Sequence, residues 1–250
     1  MSERLRVAPR LLDGREDDAL ALPPEAAHHL RVLRVPHGAT VVLFDGEGRE
    51  RDAVVERVTR DAVIVAWCGE AREGVRGDRA RVTWLQGYPK GDKLDVIVRQ
   101  ATELGVDAVG AVYTTRSVPQ ARDGKMAGRV ERWARIAEEA ARQCGRADVP
   151  TVHAPATLDE ALRGLPTNAL RIVAWEQSTL PLVEAVGRRT EGPVVVLAGP
   201  EGGLGADEVA RCEREGFVAV SLGPRVLRAE TVAPALLGAL AVLCGDLMPR

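Results

Sequence analysis

Two glycine-proline segments in the second half of the chain contain residue types that can hold a ligand. The first spans residues 199–203 and reads GPEGG, and the second spans residues 222–231 and reads LGPRVLRAET. Glycine lets a ligand approach backbone amides, and an arginine guanidinium can hold a phosphate or orient a polar base. Each segment follows an apolar run typical of a strand, and ligands bind at the carboxyl ends of such strands. The two segments therefore predict a small-molecule site.

A structural interpretation of these segments stays open. A single glycine-rich loop is often a strand-to-helix turn that needs glycine for a positive φ. The two arginines can instead cap helix ends or pair with Glu230. The repeated Gly-Pro turn after a second strand favours the ligand site. Neither segment matches the dinucleotide-binding or P-loop pattern, so both of those nucleotide sites lose their usual support.

A basic cluster in the first half of the chain could contact a nucleic acid. Arg31 and Arg34 are expected at positions i and i+3 on one face of a helix end, with His28 three residues before Arg31. Such a cluster can meet phosphates or stack on an unpaired base, although it can equally be a solvated helix face. Lys90 and Lys93, at the start of a later helix, allow the same two interpretations.

The first half of the chain is organised as a small β unit. Residues 40–67 contain β-branched runs separated by turn signals at residues 45–46 and 59–61. A helix is expected from Pro23 to about residue 36. Residues 69–81 are charged and contain glycine without apolar periodicity. We therefore predict a β-barrel over residues 1–72 and a second domain over residues 78–250.

The second half alternates strands with helices, which predicts an α/β domain with a mostly parallel sheet. In the helix that follows GPEGG, Gly205 and Glu208 fit the N-cap and N3 positions. Strands are expected at residues 82–87, 108–113, 170–175, 193–198 and 217–222. Helices are expected at residues 92–105, 125–143 and 206–214, with a last helix ending near Cys244.

Composition limits the classes of function. The chain has 250 residues, of which 46% are hydrophobic and 28% charged, which indicates a folded globular protein rather than a disordered one. The formal net charge is -2. This charge argues against a protein that binds nucleic acid through a generally basic surface, so any RNA contact must be local.

Cysteine spacing and hydropathy predict a cytoplasmic protein without a metal site. Cys68, Cys144, Cys212 and Cys244 form no CxxC pair and lie beside no histidine cluster, so neither a zinc site nor a disulfide framework is indicated. The longest apolar stretch, residues 234–244, is shorter than the roughly 20 residues that span a bilayer. The charged N-terminus lacks a signal-peptide core.

Six runs of sequence resemble one known family. They are HHLRVLRV (28–35), LFDGEG (43–48), KGDKLDVIVRQATELGV (90–106), RQCGR (142–146), LAGPEGGLG (197–205) and SLGPRVLRAET (221–231). In this order they resemble the ribosomal small subunit methyltransferase E family, whose members are uridine-N3 methyltransferases of 16S ribosomal RNA within the SPOUT superfamily. The resemblance spans both halves of the chain.

The resemblance implies a PUA-like β-barrel that binds RNA, followed by an α/β domain whose chain end forms a trefoil knot. It also implies a homodimer, and a methyl donor, S-adenosylmethionine, held in the knotted loops. Matched motif by motif, the donor-binding residues are Trp175, Glu176, Gln177 and Ser178, then Gly199, Pro200, Glu201, Gly202 and Gly203, then Leu222, Gly223, Pro224, Val226 and Leu227. The chain departs from the family pattern at Ala229, where Thr is usual, and at Gly205, where Ser is common.

The implied reaction needs particular side chains. Uridine N3 must lose its proton, and negative charge then develops on the flanking carbonyl oxygens. Arg225 or Arg228 is the candidate that stabilises this charge, and Glu230 is the candidate proton acceptor, with Glu201 as its competitor. Either carboxylate can instead hold the loops together by accepting backbone amides.

Two other functions remain possible from the sequence. The chain could methylate another RNA, such as transfer RNA, or it could be a non-catalytic RNA-binding assembly factor. The intact glycine loops argue against the second, because a protein without a donor would not need them.

Overall fold

The computed structural model describes residues 2–15, 18–74, 80–117, 126–187 and 192–244. Contacts between Cα atoms divide the chain into two compact units. The first comprises Met1–Arg76 with Ala141–Val149, and the second comprises Gly77–Ala140 with Pro150–Arg250. The predicted boundary between residues 72 and 78 lies largely outside the described residues, as does the predicted helix start at Lys125.

The first unit contains a curled half-barrel sheet of five strands in the order β1-β3-β4-β5-β2. The strands are β1 (Glu3–Arg6), β2 (Ala19–Ala21), β3 (Thr40–Phe44), β4 (Arg49–Val58) and β5 (Val63–Glu73). Strand β1 pairs with β3 in parallel, and the other pairs are antiparallel. Two register shifts between β4 and β5 act as bulges, which bend a strand and increase its twist.

Two short helices flank this sheet. A 3-10 helix covers Pro9–Asp13, and helix α1 covers Pro24–Val32 with Pro23 and Pro24 in its entry turn, as predicted. Proline suits that position because its missing N–H would have no helical partner. One face of α1 is buried with the inner face of the sheet in a single core, formed by residues such as Leu5, Leu12, Leu30, Val41, Leu43, Val65 and Trp67.

Residues 141–149 belong to the first unit, which the sequence patterns did not indicate. The Val149 N–H donates to the Gly46 carbonyl at 2.9 Å. Arg146 is buried and its guanidinium pairs with Asp148 at 2.7 Å. The Arg142 guanidinium lies 3.2 Å from the His29 ring. The RQCGR run therefore has a structural role within the first unit.

The second unit contains a six-stranded sheet in the order β11-β9-β10-β6-β7-β8, and every pair of neighbours is parallel. The predicted parallel sheet is confirmed. Its strands are β6 (Val82–Gly87), β7 (Ala108–Tyr113), β8 (Thr151–Thr157), β9 (Leu170–Ala174), β10 (Val194–Ala198) and β11 (Phe217–Val220). Strand β8 was not expected from the sequence.

Helices alternate with these strands. They are α2 (Lys93–Glu103), α3 (Met126–Cys144), α4 (Leu158–Leu162), α5 (Leu182–Val186), α6 (Ala206–Arg214) and α7 (Ala229–Leu243). Helix α2 buries its apolar face and ends before Gly105, whose φ of 88° is the left-handed conformation predicted for that cap. Helix α2 packs against α7. No helix within the described ranges is long and apolar enough to cross a membrane.

The sheet order decides where a ligand can bind. Strand β10 is buried along its whole length, as expected of a central parallel strand, and β9 and β11 lie on one side of it. Because all three strands run in the same direction, the loops that follow them leave the sheet at one edge. These loops contain residues 175–178, 199–203 and 221–228.

Candidate functional site

A cavity of about 460 Å³ lies at the carboxyl ends of β9, β10 and β11. The three loops that follow these strands line it, together with Lys93 of α2 and the first turn of α7. Ligand sites in parallel sheets occur at this edge, and sites for small molecules have volumes of roughly 300–1,000 Å³. The two segments that predicted a site in the sequence thus meet in one cavity.

The loop of residues 199–203, here called the GPEGG loop, packs too closely for larger side chains. A Cβ atom on Gly199 would lie 2.9 Å from the carbonyl carbon of Gly203. Gly203 has a φ of 71°, and a Cβ there would lie 2.9 Å from Glu176 Oε1. The loop therefore needs glycine at both positions, and Gly199, Pro200, Glu201, Gly202 and Gly203 all line the cavity.

Two side chains from other elements hold the carbonyl groups of the GPEGG loop. Gln86 Nε2 donates to the Gly199 oxygen at 2.8 Å, and Arg116 Nη1 donates to the Gly202 oxygen at 2.7 Å. Gln86 is fully buried, and its Oε1 accepts from Trp84 Nε1 at 3.1 Å. Neither residue was predicted from the sequence. A lone side-chain amide in a mostly apolar strand is the signal that could have identified Gln86.

Helix α6 follows the GPEGG loop and begins as predicted. Gly205 occupies the N-cap, and Glu208 Oε2 accepts from the Gly205 N–H at 2.8 Å. The second carboxylate oxygen of Glu208 accepts from the Thr115 N–H at 2.7 Å. One side chain thus satisfies backbone donors at the helix start and in the segment after β7.

The loop after β11 contributes both cations and apolar groups to the cavity. Leu222, Gly223, Val226 and Leu227 line it, whereas Pro224 does not. Gly223 has a φ of 98°, which is the left-handed region that favours glycine. The Gly223 N–H donates to Ser221 Oγ at 3.2 Å, which fixes the start of the loop.

Arg225 and Arg228 also line the cavity, and both side chains are exposed. Neither guanidinium has an ion pair within the part of the chain that the structure describes. Both therefore remain available to a substrate anion.

The loop after β9 divides between the cavity and the sheet. Trp175 and Glu176 line the cavity, whereas Gln177 and Ser178 do not. Ser178 Oγ donates to the Ala219 carbonyl at 2.7 Å and so ties the loop to β11. The Trp175 indole Nε1 is buried and has no hydrogen-bond partner among the described residues. A buried donor of this kind is unusual and suits a bound polar molecule.

Lys93 joins two carboxylates at the cavity. Its Nζ lies 3.0 Å from Glu201 Oε1 and 3.4 Å from Glu230 Oε2. The Lys90 N–H also donates to Glu201, at 3.1 Å from Oε1. Burial raises the pKa of the Glu201 carboxyl, but hydrogen bonds from backbone N–H groups and from Lys93 outweigh burial, so its pKa lies below the ordinary value. The hydrogen bond to Glu201 raises the pKa of Lys93.

The predicted helix-face cluster of Arg31 and Arg34 is wrong in its geometry. Helix α1 ends at Val32, and Arg34 has a φ of 54° beyond the helix. The Arg34 N–H donates to the Arg31 oxygen, and the Val35 N–H donates to the Leu30 oxygen, each at 3.0 Å. These bonds form a Schellman turn that reverses the chain before Arg34 can join the helix.

The remaining members of that cluster also differ in their surroundings. Arg31 Nε donates to the Ala27 oxygen at 3.2 Å, and its Nη1 donates to the Arg60 oxygen. His28, Arg34 and Lys90 are exposed. The predicted RNA contacts by these residues stay predictions.

Comparison with known proteins decides the family. The model of an RNA methyltransferase domain matches residues 77–241, and that of an RNA methyltransferase PUA domain matches residues 22–66. The chain is 32% identical over 228 residues to the ribosomal RNA small subunit methyltransferase E of Bacillus subtilis, covering 86% of this chain and 87% of that protein. It is 33% identical over 227 residues to the Mycobacterium tuberculosis protein of the same name, covering 88% and 84%. The chain belongs to the ribosomal RNA small subunit methyltransferase E family.

Two solved structures match this chain over almost its whole length. A ribosomal RNA small subunit methyltransferase E from Neisseria gonorrhoeae, bound to S-adenosyl methionine, superposes with a TM-score of 0.88 at 28% identity, covering 99% of this chain and 100% of that one. A putative methyltransferase from Legionella pneumophila, in complex with the same cofactor, gives 0.84 at 29% identity, covering 97% and 98%. The predicted fold class, a PUA-like domain followed by a SPOUT-type parallel α/β domain, is confirmed.

Proposed function

We propose that this chain transfers a methyl group from S-adenosylmethionine to N3 of a uridine in 16S ribosomal RNA. Membership of the methyltransferase E family supports RNA methylation with this donor. The observation that links the proposal to particular residues is the cavity of about 460 Å³, which lies where the loops after β9, β10 and β11 meet. Its lining contains most of the residues that the family resemblance assigns to the donor.

The residues present fit the donor chemically. The buried Trp175 N–H lacks a partner among the described residues, and a polar donor molecule would supply an acceptor. Gly199, Gly203 and Gly223 leave backbone atoms at the cavity uncovered by side chains. We assign donor binding to the cavity-lining residues of the three loops. Gln177, Ser178 and Pro224 lie outside the cavity lining, and Ser178 ties its loop to β11.

When bound, S-adenosylmethionine supplies an electrophilic methyl carbon. The chain must then remove the N3 proton as the new N–C bond forms. Glu230 is better suited to accept this proton than Glu201. Both Glu201 oxygens accept from the Lys90 N–H, and Lys93 Nζ lies 3.0 Å from one of them. Glu230 Oε2 has no hydrogen bond among the described residues, and its described ion pair is with Lys93 at 3.4 Å.

Arg225 or Arg228 stabilises the negative charge that develops on the uracil carbonyl oxygens. Both line the cavity and both are free of ion pairs in the described part of the chain. A permanent cation with paired N–H donors acts most strongly in the transition state, when this charge appears. We expect one of these two arginines to contribute most of the charge stabilisation.

RNA recognition is divided among local basic groups, because a net charge of -2 gives no general attraction for phosphates. The PUA domain match supports RNA binding by the first unit. Within it we assign phosphate contacts to His28, Arg31 and Arg34, with Lys90 as a further contact in the second unit. We propose that the protein works as a homodimer in the cytoplasm, on 16S RNA within the small ribosomal subunit.

Nucleoside mapping tests this function. The purified chain is incubated with small ribosomal subunits, free 16S RNA or transfer RNA in the presence of S-adenosylmethionine, and the digested RNA is analysed by mass spectrometry. We expect 3-methyluridine at one site in 16S RNA. A methyl group on carbon 5 or on a ribose oxygen would contradict the proposed chemistry, and modification of transfer RNA alone would contradict the substrate. Absence of donor binding in calorimetry would indicate a non-catalytic RNA-binding factor.

A further inference from the structure

Lys93 is placed to act on the cavity rather than on the RNA backbone. It is the first residue of α2, and it lines the cavity. One carboxylate partner, Glu201, belongs to the GPEGG loop, and the other, Glu230, belongs to the first turn of α7. A single cation thus connects three elements that are far apart in the chain.

The charges around Lys93 argue against the phosphate contact that the sequence suggested. Two carboxylates and one ammonium carry a net charge of -1 when all are ionised. A phosphate that approached Lys93 would meet Glu201 and Glu230 at close range, and like charges at such distances repel.

We infer that Lys93 is a positioning residue that holds Glu230 in place at the cavity, with Glu201 as the fixed end of the bridge. Glu201 is immobilised because the Lys90 N–H donates to both of its oxygens, at 3.1 and 3.3 Å. The Lys93 ammonium connects this immobilised carboxylate to the Glu230 carboxylate. The inference rests on the proposed function, in which Glu230 accepts the N3 proton.

Loss of Lys93 would leave Glu230 without its described partner. The Glu230 side chain would then sample rotamers that do not face the substrate, and proton transfer depends on hydrogen-bond distance between acceptor and substrate. The defect should appear in the chemical step. Binding of the donor and of RNA should change little, because Glu201 keeps its bonds from the Lys90 N–H.

The test compares Lys93→Met and Lys93→Arg with a matched control. Arg99→Met removes a cation from the same helix, and Arg99 is exposed and does not line the cavity. Three quantities are measured for each: the single-turnover rate at saturating donor and small-subunit RNA, the donor dissociation constant by calorimetry, and the salt dependence of donor-free RNA binding. Thermal unfolding confirms that each variant is folded.

We expect Lys93→Met to lower the saturated rate by about tenfold or more, a part of the roughly 10²–10⁴-fold that a positioned proton acceptor contributes. Lys93→Arg should recover the rate to within about threefold, since a guanidinium can also pair with two carboxylates. Donor affinity and salt slope should match those of Arg99→Met. In a Glu230→Gln background, Lys93→Met should add little further loss.

Several outcomes would overturn the inference while leaving methylation by the wild-type chain intact. A normal saturated rate with a salt slope reduced by about one would make Lys93 a phosphate contact. A large loss of donor affinity at a normal saturated rate would make it part of the donor site. Fully additive losses with Glu230→Gln would show that it does not act through Glu230. Failure of the wild-type chain to form 3-methyluridine would instead overturn the proposed function.

Discussion

Replacing Gly199 by alanine tests whether the cavity at the GPEGG loop binds the donor. The added Cβ would lie 2.9 Å from the Gly203 carbonyl carbon and 3.1 Å from both the backbone nitrogen and Cγ of Leu204. Carbon atoms in contact normally lie about 3.5–4.0 Å apart, so the loop would have to move by roughly 0.6–1 Å. Leu204 is buried and cannot give way freely.

The free-energy cost of Gly199→Ala follows from the size of this overlap. Inserting a methyl group into a well-packed region costs typically about 1–3 kcal/mol. If the chain avoids this cost by leaving the binding-competent conformation, the donor affinity falls by the same free energy, which is about 5-fold to about 150-fold. We therefore expect Gly199→Ala to weaken donor binding by at least about fivefold.

Two other glycines separate crowding from backbone strain. Gly216 has a φ of 80° and Gly223 a φ of 98°, and a Cβ on either would meet no atom within 4 Å. Gly216 lies in the turn between α6 and β11 and does not line the cavity, whereas Gly223 does. Alanine at each should cost about 1 kcal/mol of backbone strain. We expect Gly216→Ala to lower only the melting temperature, and Gly223→Ala to weaken donor binding as well.

Isothermal titration with S-adenosylmethionine and thermal unfolding of the full chain measure both effects. Wild-type donor affinity in Gly199→Ala, together with an unchanged melting temperature, would show that the loop tolerates the methyl group and would refute the packing argument. Wild-type affinity with a lowered melting temperature would show that the cavity is not the donor site.

Three further predictions concern other residues. Trp175→Phe removes the unpartnered indole N–H and should weaken donor binding by roughly 2- to 10-fold, the effect of one hydrogen bond, as measured by calorimetry. Either Arg225→Ala or Arg228→Ala should lower the single-turnover rate by roughly a hundredfold with little change in donor affinity, and normal rates in both would contradict the proposed chemistry. Burial raises the pKa of Asp45, but hydrogen bonds from the Glu47, Arg49 and Gly48 N–H groups and the Arg49 side chain hold it below its ordinary value of 3.8. Its ionised form therefore stabilises the fold above about pH 4 and less so as the pH falls. Asp45→Asn should lower the free energy of unfolding at pH 7, and the gap to the wild type should narrow below pH 4.

The parallel sheet could be predicted because its signals are local. Strand β10 is apolar throughout, as a strand buried on both faces must be, and helices α2 and α6 show caps and apolar spacing in the sequence. The order of the six strands could not be predicted in the same way. Pairing joins residues far apart in the chain, such as Val194 with Val82, and no local pattern records the partner.

The first unit shows where local reasoning fails. Residues 141–149 belong to this unit, whereas the first fifteen residues of α3 belong to the second unit. The helical periodicity of α3 does not indicate that the helix is divided between two units. Arg34 was expected on a helix face, but it takes the left-handed position at which glycine is usual. An arginine there gives no warning that the helix has ended.

The glycine loops of the site were predictable, whereas the residues that hold them were not. Gln86 bonds to Gly199 across 113 positions of sequence, and Lys93 and Glu201 approach from different elements. The sequence does not show that these residues meet, and so it suggested a phosphate contact for Lys93. The structure instead places Lys93 between two carboxylates.

The position of Lys93 between two carboxylates explains why we assign charge stabilisation to the loop after β11. The cations of the cavity lining are Lys93, Arg225 and Arg228. Lys93 is already paired with Glu201 and Glu230, so its charge is largely offset before any substrate binds. Arg225 and Arg228 have no such partner in the described part of the chain. A developing anion on the substrate would therefore gain most from these two arginines, because their interaction does not have to replace an existing ion pair.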